Sequence, residues 1–159
     1  MAWSDQNVIA ELISTAPLMS EKEWDNSTNP QDSMRLYLYM AHASLVADRH
    51  MKEAIIPLLE RAGYGDLSET MRTLRNVLIE TVDGDVEQLI APCLIAVTLP
   101  QPGCRMWALD TLEMFLDKPE VRSVFEQALN DKEAGIRESA KIALESFEDS
   151  KEGYPRSIS

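Results

Sequence analysis

Apolar residues recur three and four positions apart along most of the chain, the spacing that places them on one face of an α-helix. No segment alternates apolar and polar residues between hairpin turns, so the pattern predicts no sheet. The predicted helices begin near Val8 and then cover about Met34–Ala47, Arg49–Ala62, Leu67–Val82, Val86–Leu99, Arg105–Leu116, Glu120–Leu129 and Ala134–Phe147. We therefore expect an all-α chain of about eight helices, packed antiparallel because the connections between neighbours are short.

Two of the predicted helices carry the same skeleton of residues, 32 positions apart. The stretch GCRMWALDTLEMF begins at Gly103, and GIRESAKIALESF begins at Gly135. The shared apolar slots line one helical face and are filled by Cys104, Ala108, Leu112 and Phe115 in the first copy and by Ile136, Ala140, Leu144 and Phe147 in the second. One helix pair cannot bury such a face alone, so the repetition predicts that neighbouring pairs stack on each other.

The last copy, LNDKEAGIRESAKIALESF, resembles a HEAT-type helical repeat. The residues that carry the resemblance are Asp131 in the turn, Ile136–Arg137 at the start of the second helix, and then Ala140, Ala143–Leu144 and Phe147. The preceding copy keeps the arginine but departs from the pattern with Leu99 and Thr111. The resemblance implies a HEAT-like α-solenoid, with units clearest over 86–149. We expect one α-helical domain over 1–149 and a polar C-terminal tail over 150–159.

The same resemblance assigns roles to the charged residues of the repeat. It implies that Arg105 and Arg137 brace turns by pairing with an acid or a carbonyl of the adjoining repeat, and that Asp131 takes part in this bracing.

The chain is strongly acidic, with 27 acidic against 15 basic residues and a formal net charge of −12. An acidic surface repels the phosphate backbone, so we expect no nucleic-acid partner. The same charge attracts a basic protein. The N-terminus lacks a basic region followed by an apolar block, and the apolar run near Leu89–Leu99 is too short for a membrane span. We therefore expect a cytoplasmic protein without a membrane partner, in which Cys93 and Cys104 are reduced and buried.

The motifs for catalysis and metal binding that a sequence can reveal are missing. His42 and His50 are the two histidines, and neither forms a cluster with cysteine at metal-ligand spacing. No glycine-rich phosphate loop or nucleophile motif is present. We expect His42 to pack inside a helix interface, and we expect no catalytic residue, metal or cofactor.

Comparison of the two copies outside their shared face points to a binding surface. The first copy has Met106, Trp107, Asp110, Glu113 and Met114 where the second has Glu138, Ser139, Ile142, Glu145 and Ser146. Apolar anchors flanked by acids are typical of protein interfaces, so we predict that the first set binds a partner. The alternative interpretation is that Trp107 packs against a neighbouring helix or the N-terminal region.

A second predicted contact is the stretch RLYLYMAH, Arg35–His42. Tyr37 and Tyr39 point to different faces of the predicted helix, so at least one of them should lie near solvent, although a place in the helical core is the alternative for this stretch.

These features predict a non-enzymatic protein-binding module. The first hypothesis is an immunity-type inhibitor that neutralises a cognate, basic toxin domain by occluding its surface, since small, acidic, motif-poor proteins resemble bacterial immunity proteins. The alternative is a HEAT-like adaptor or assembly factor that binds a host protein, with a homodimer left open. A small enzyme on a helical scaffold is the third class.

Overall fold

The computed structural model describes residues 4–14, 30–62 and 68–151, and this part of the chain contains helices and turns but no strand. Its α-helices are α1 (Asp5–Ser14), α2 (Pro30–Asp48), α3 (Ile55–Arg61), α4 (Ser68–Thr81), α5 (Ile90–Ala96), α6 (Pro102–Leu112), α7 (Pro119–Ala128) and α8 (Ala134–Lys151). Short 3-10 helices precede α3 and α5, and another, Glu113–Phe115, extends α6. The prediction of an all-α chain with about eight helices is confirmed for these residues.

The structure describes only the start of the predicted C-terminal tail. Helix α8 continues through Lys151, two residues into the segment predicted as a polar tail, and residues 152–159 lie outside the described part of the chain.

Prolines and left-handed residues set several helix ends. Pro102 and Pro119 occupy the first positions of α6 and α7, where a missing N–H removes no helical hydrogen bond. His50 after α2 and Asp83 after α4 have φ angles of 50° and 53°. After each of them the chain closes the turn by donating an N–H to a carbonyl five residues back, which satisfies the helix end and reverses the chain direction.

Every α-helix contributes to one apolar core. Helix α2 packs against α4, α3 against α5, and α6 against α8. Helix α1 contacts α2 and α3. The pairs α5–α6, α3–α6 and α7–α8 also pack together. Burial raises the pKa of the Cys93 and Cys104 thiols to about 12, so both act as small apolar residues at neutral pH.

Three helices begin with the same arginine contact. The fourth residue of α6, α7 and α8 is an arginine that donates to the carbonyls five and six residues before it. These contacts join Arg105 to Leu99 and Pro100, Arg122 to Leu116 and Asp117, and Arg137 to Asp131 and Lys132. Each arginine therefore closes the turn that leads into its own helix.

Arg105 also connects two turns that are far apart in sequence. Its Nε donates to Asp131 Oδ2 and its Nη2 donates to Asp131 Oδ1, both at 2.9 Å, and both side chains are nearly buried. The backbone N–H of Glu133 donates to Asp131 Oδ1 at 2.9 Å. The turn before α6 is thus held to the turn before α8, and this is the bracing role that the resemblance implied for Arg105 and Asp131.

These contacts lower the pKa of the Asp131 carboxyl. Burial alone would raise its pKa, but the hydrogen bonds from Arg105 and from Glu133 N–H, together with the Arg105 charge, outweigh burial and hold the pKa below its ordinary value. Asp131 is therefore ionised at neutral pH and stabilises the fold in that form.

Replacing Arg105 tests the connection between the turns. In Arg105→Ala, the nearly buried Asp131 carboxylate loses its cation, so the free energy of unfolding should fall by about 3 kcal/mol in urea denaturation. The matched control is Arg137→Ala, at the same slot of α8, where an exposed arginine bonds only to carbonyls and the loss should be no more than about 1 kcal/mol. Equal losses in the two variants would contradict the bracing role.

The depressed pKa of Asp131 makes its contribution dependent on pH. Because the folded-state pKa lies below the unfolded one, the stabilisation is complete above the unfolded value and is lost as pH falls through the folded value. Wild type should exceed Asp131→Asn in unfolding free energy by the largest amount at pH 7, and this difference should decrease below about pH 4. Urea denaturation over a pH series measures it. A gap that does not change with pH would show that the carboxylate is not the stabilising form.

Candidate functional site

Helix α6 is nearly enclosed by its neighbours. Eight of its eleven residues are buried, and it contacts α3, α5 and α8. The side chains that it and its 3-10 extension leave at the surface include the strip Met106, Asp110, Glu113 and Met114, which we call the α6 ridge. Met114 is 56% exposed, and Met106 and Asp110 are half-buried. These four predicted residues therefore do reach the surface together.

Trp107 does not belong to this surface. Its side chain is 2% exposed, so the prediction that it is an exposed anchor is wrong and the alternative of packing against neighbouring helices is right. The reason lies in the position of the helix. The equivalent slot in α8 holds Ser139, which is exposed on the last described helix, whereas Trp107 lies beside Phe125 of α7 and Ile142 of α8. The large indole fills space between helices.

The two tyrosines of α2 have opposite environments. Tyr37 is 70% exposed, next to the exposed Leu38, so the expectation that at least one tyrosine lies near solvent is confirmed. Tyr39 is fully buried, and its hydroxyl donates to Leu58 O of α3 at 2.9 Å. Burial raises the pKa of Tyr39 well above its ordinary value. The prediction of Tyr39 as a partner contact is therefore wrong, because this side chain joins α2 to α3.

A first groove, groove A, lies between α4 and α6 and encloses about 390 Å³. Leu78 and Ile79 of α4 and Met114 of the ridge give it an apolar lining. Arg75 and Asp110 form an ion pair at this groove, with Nη2 3.0 Å from Oδ1 and Nε 3.2 Å from Oδ2. Both side chains are partly exposed, so the pair contributes little to stability and serves mainly to occupy the Asp110 carboxylate.

A second groove, groove B, lies on the other side of the ridge, between α6 and α8, and encloses about 300 Å³. Trp107 and Phe125 lie in its lining, and Ile142 of α8 contributes an apolar side chain that is 54% exposed. The Ser139 hydroxyl donates to Met106 Sδ at 3.6 Å, across from α8 to α6.

Trp107, which lines groove B, carries an unused hydrogen-bond donor. Trp107 Nε1 is buried and has no acceptor among the described residues. A buried donor without an acceptor costs about 1–3 kcal/mol, and such groups are rare in folded proteins.

Glu113 gives the site its charge. It lines both grooves, is exposed, and makes no ion pair or hydrogen bond with any residue that the structure describes. Asp110 also lines both grooves, but Arg75 neutralises it. The ridge therefore presents one uncompensated negative charge between two apolar grooves.

The histidines take up positions away from the ridge. His42 is 3% exposed and its Nδ1 lies 2.6 Å from Leu38 O, as expected of a packed histidine. His50 is exposed, with Nδ1 3.0 Å from Glu80 O. Within residues 4–14, 30–62 and 68–151, no group of three or more His, Cys, Asp or Glu residues is placed to hold a metal. In the same ranges, none of the helices combines the length and apolarity that crossing a membrane requires.

Comparison with known proteins found no family model that matches the sequence, and no curated protein or solved structure with significant similarity to it.

The burial of Trp107 can be tested by truncation. Trp107→Ala removes a buried aromatic side chain and leaves a cavity, so the free energy of unfolding should fall by about 3–5 kcal/mol in urea denaturation. Met114→Ala, on the exposed side of the same helix, should change it by less than about 0.5 kcal/mol. Similar small losses in both variants would contradict the placement of Trp107 between helices.

Proposed function

We propose that this chain is a non-enzymatic protein-binding module, built as a HEAT-like α-solenoid, that binds a basic protein along the α6 ridge. The observation that carries the proposal is the Glu113 carboxylate, which has no partner among the described residues and lies between two apolar grooves.

The packing of the helices supports a stacked arrangement. Helices α2, α4, α6 and α8 follow one another as neighbours, through the α2–α4 and α6–α8 contacts and the Arg75–Asp110 pair between α4 and α6. Helices α1, α3 and α5 form a second series through α1–α3 and α3–α5 contacts. Two layers in which each helix contacts its neighbours are typical of solenoids.

The surface of the first layer has the chemistry of a protein interface. Ile79 on α4, Met114 beside α6 and Ile142 on α8 are each more than 40% exposed and lie in the two grooves. Exposed apolar side chains around a charge match the pattern of anchors and polar rim in protein interfaces. Because the chain has a net charge of −12, a basic partner is drawn to this surface and an acidic one is repelled.

The acidic charge of the chain favours immunity-type inhibition as the role of this protein binding. A toxin domain that acts on nucleic acid carries a basic surface to hold phosphates, and an acidic ridge with apolar grooves would cover that surface. The partner is then neutralised by occlusion, with Glu113 opposite a basic side chain and Met114 as an apolar anchor.

A charge reversal tests this interface directly. The partner is captured from cells that produce the protein and identified by mass spectrometry, and binding is compared between wild type, Glu113→Lys and Glu145→Lys. We expect a basic protein to be retained by wild type and to lose affinity at least about tenfold in Glu113→Lys, because like charges then face each other. Glu145, at the same slot of α8, is exposed outside both grooves and should tolerate the reversal.

The captured protein decides between the hypotheses. A basic toxin domain whose activity is suppressed by an equimolar amount of this chain supports inhibition, and a subunit of a host assembly indicates an adaptor. Equal retention by the two lysine variants would contradict the α6 ridge as the interface.

A further inference from the structure

We propose that groove B binds an extended polypeptide segment of the basic partner, with a backbone carbonyl as hydrogen-bond acceptor, a Lys or Arg side chain at Glu113 and an apolar side chain on Ile142. The basic character of the segment rests on the function proposed above, whereas the demand for an acceptor rests on groove B itself.

The donors in groove B lack strong acceptors. Trp107 Nε1 has no acceptor in the described structure, and the Ser139 hydroxyl has only the Met106 thioether, which is a weak one. A buried indole N–H without an acceptor is suited to a ligand that supplies one. The backbone carbonyl is the acceptor that every polypeptide segment supplies.

Met106, which also lines groove B, is the side chain that would move to admit an acceptor. The Trp107 nitrogen is buried, so part of the lining must shift before an acceptor can approach it. Met106 has three rotatable side-chain bonds and is held by a hydrogen bond only to Ser139. It lies against the start of α8, where Gly135 has no side chain and a Cβ would sit 3.6 Å from Met106 Cε. A methionine in this setting can change rotamer without disturbing the helices.

The charge at groove B selects the segment. Asp110 is already paired with Arg75, so an incoming cation meets Glu113 as the unpaired carboxylate of the groove. Ile142 offers an exposed apolar surface on the opposite wall. A second copy of this chain is a poor occupant, because two acidic surfaces would repel each other.

The test uses two defined probes, acetyl-Leu-Lys-Leu-amide and acetyl-Leu-Glu-Leu-amide. The full chain is labelled with ¹⁵N, and the indole N–H resonance of Trp107 is assigned with Trp3→Phe and Trp24→Phe variants. We expect the lysine peptide to shift this resonance saturably, in the millimolar range typical of a short peptide. The glutamate peptide should leave the resonance unchanged.

Variants separate groove B from other apolar surfaces. Ile142→Glu should weaken binding of the lysine peptide at least about tenfold, because a second carboxylate replaces the apolar contact. Ile95→Glu changes a similarly exposed isoleucine on α5 and should bind like wild type. An indole resonance that ignores the lysine peptide, that responds equally to both peptides, or that still responds in Ile142→Glu would overturn the proposal.

The capture experiment tests the ridge, and the peptide experiment tests groove B, so the two proposals can fail separately. Loss of the captured partner in Glu113→Lys without any peptide effect at Trp107 would leave the ridge as interface and remove groove B as the segment site. A peptide effect at Trp107 without capture of a basic protein would leave groove B as a peptide site and remove the ridge as the interface for a basic protein.

Discussion

The contact of Arg105 with Asp131 is the constraint on which the arrangement of the site depends. One guanidinium binds both carboxylate oxygens of Asp131 and two carbonyls of its own turn, so four acceptors are satisfied by a nearly buried cation. The turns before α6 and α8 are thereby held together, and these two helices form the walls of groove B. A bidentate arginine has little freedom of orientation, so this contact restricts how far the starts of α6 and α8 can move apart.

The helices packed around α6 decide which of its side chains reach the surface. The slot of Trp107 is buried on α6, whereas the equivalent slot of α8, Ser139, is exposed. The indole of Trp107 therefore packs between helices, whereas the Ser139 side chain stays at the surface. What remains of α6 at the surface is a narrow ridge, and its few side chains determine which partners can approach the two grooves.

Much of the fold could be predicted from the sequence because it depends on local chemistry. Helical periodicity and helix-ending prolines locate the helices, and the shared skeleton predicts the buried face that includes Cys104 and Ile136. The family resemblance implied that Arg105 pairs with an acid or a carbonyl of an adjoining unit, and in the structure it contacts Asp131.

Less of the site could be predicted from the sequence, because the site depends on contacts between helices that are distant in sequence. Periodicity shows which face of a helix is apolar, but not how many neighbours cover the remaining faces. Trp107 was therefore wrongly expected at the surface, and the sequence did not tell which of Tyr37 and Tyr39 is buried. The Arg75–Asp110 pair joins residues 35 positions apart and leaves no local signal, and the grooves exist only once α4, α6 and α8 are side by side. The exposed Ile142 at the slot of Asp110 was a visible signal, since an apolar residue replaces an acid there.

Site-specific photo-crosslinking is the most direct test of the claim that the chain binds a basic protein through this surface. A photoreactive amino acid would replace Met114 or Ile142 at the grooves, and Ile95 or Leu129 as exposed apolar controls elsewhere. The proposed interface predicts that one basic protein is crosslinked in cells from positions 114 and 142 and not from positions 95 and 129. Crosslinks to that protein from the control positions alone, or no crosslink from the groove positions, would contradict it.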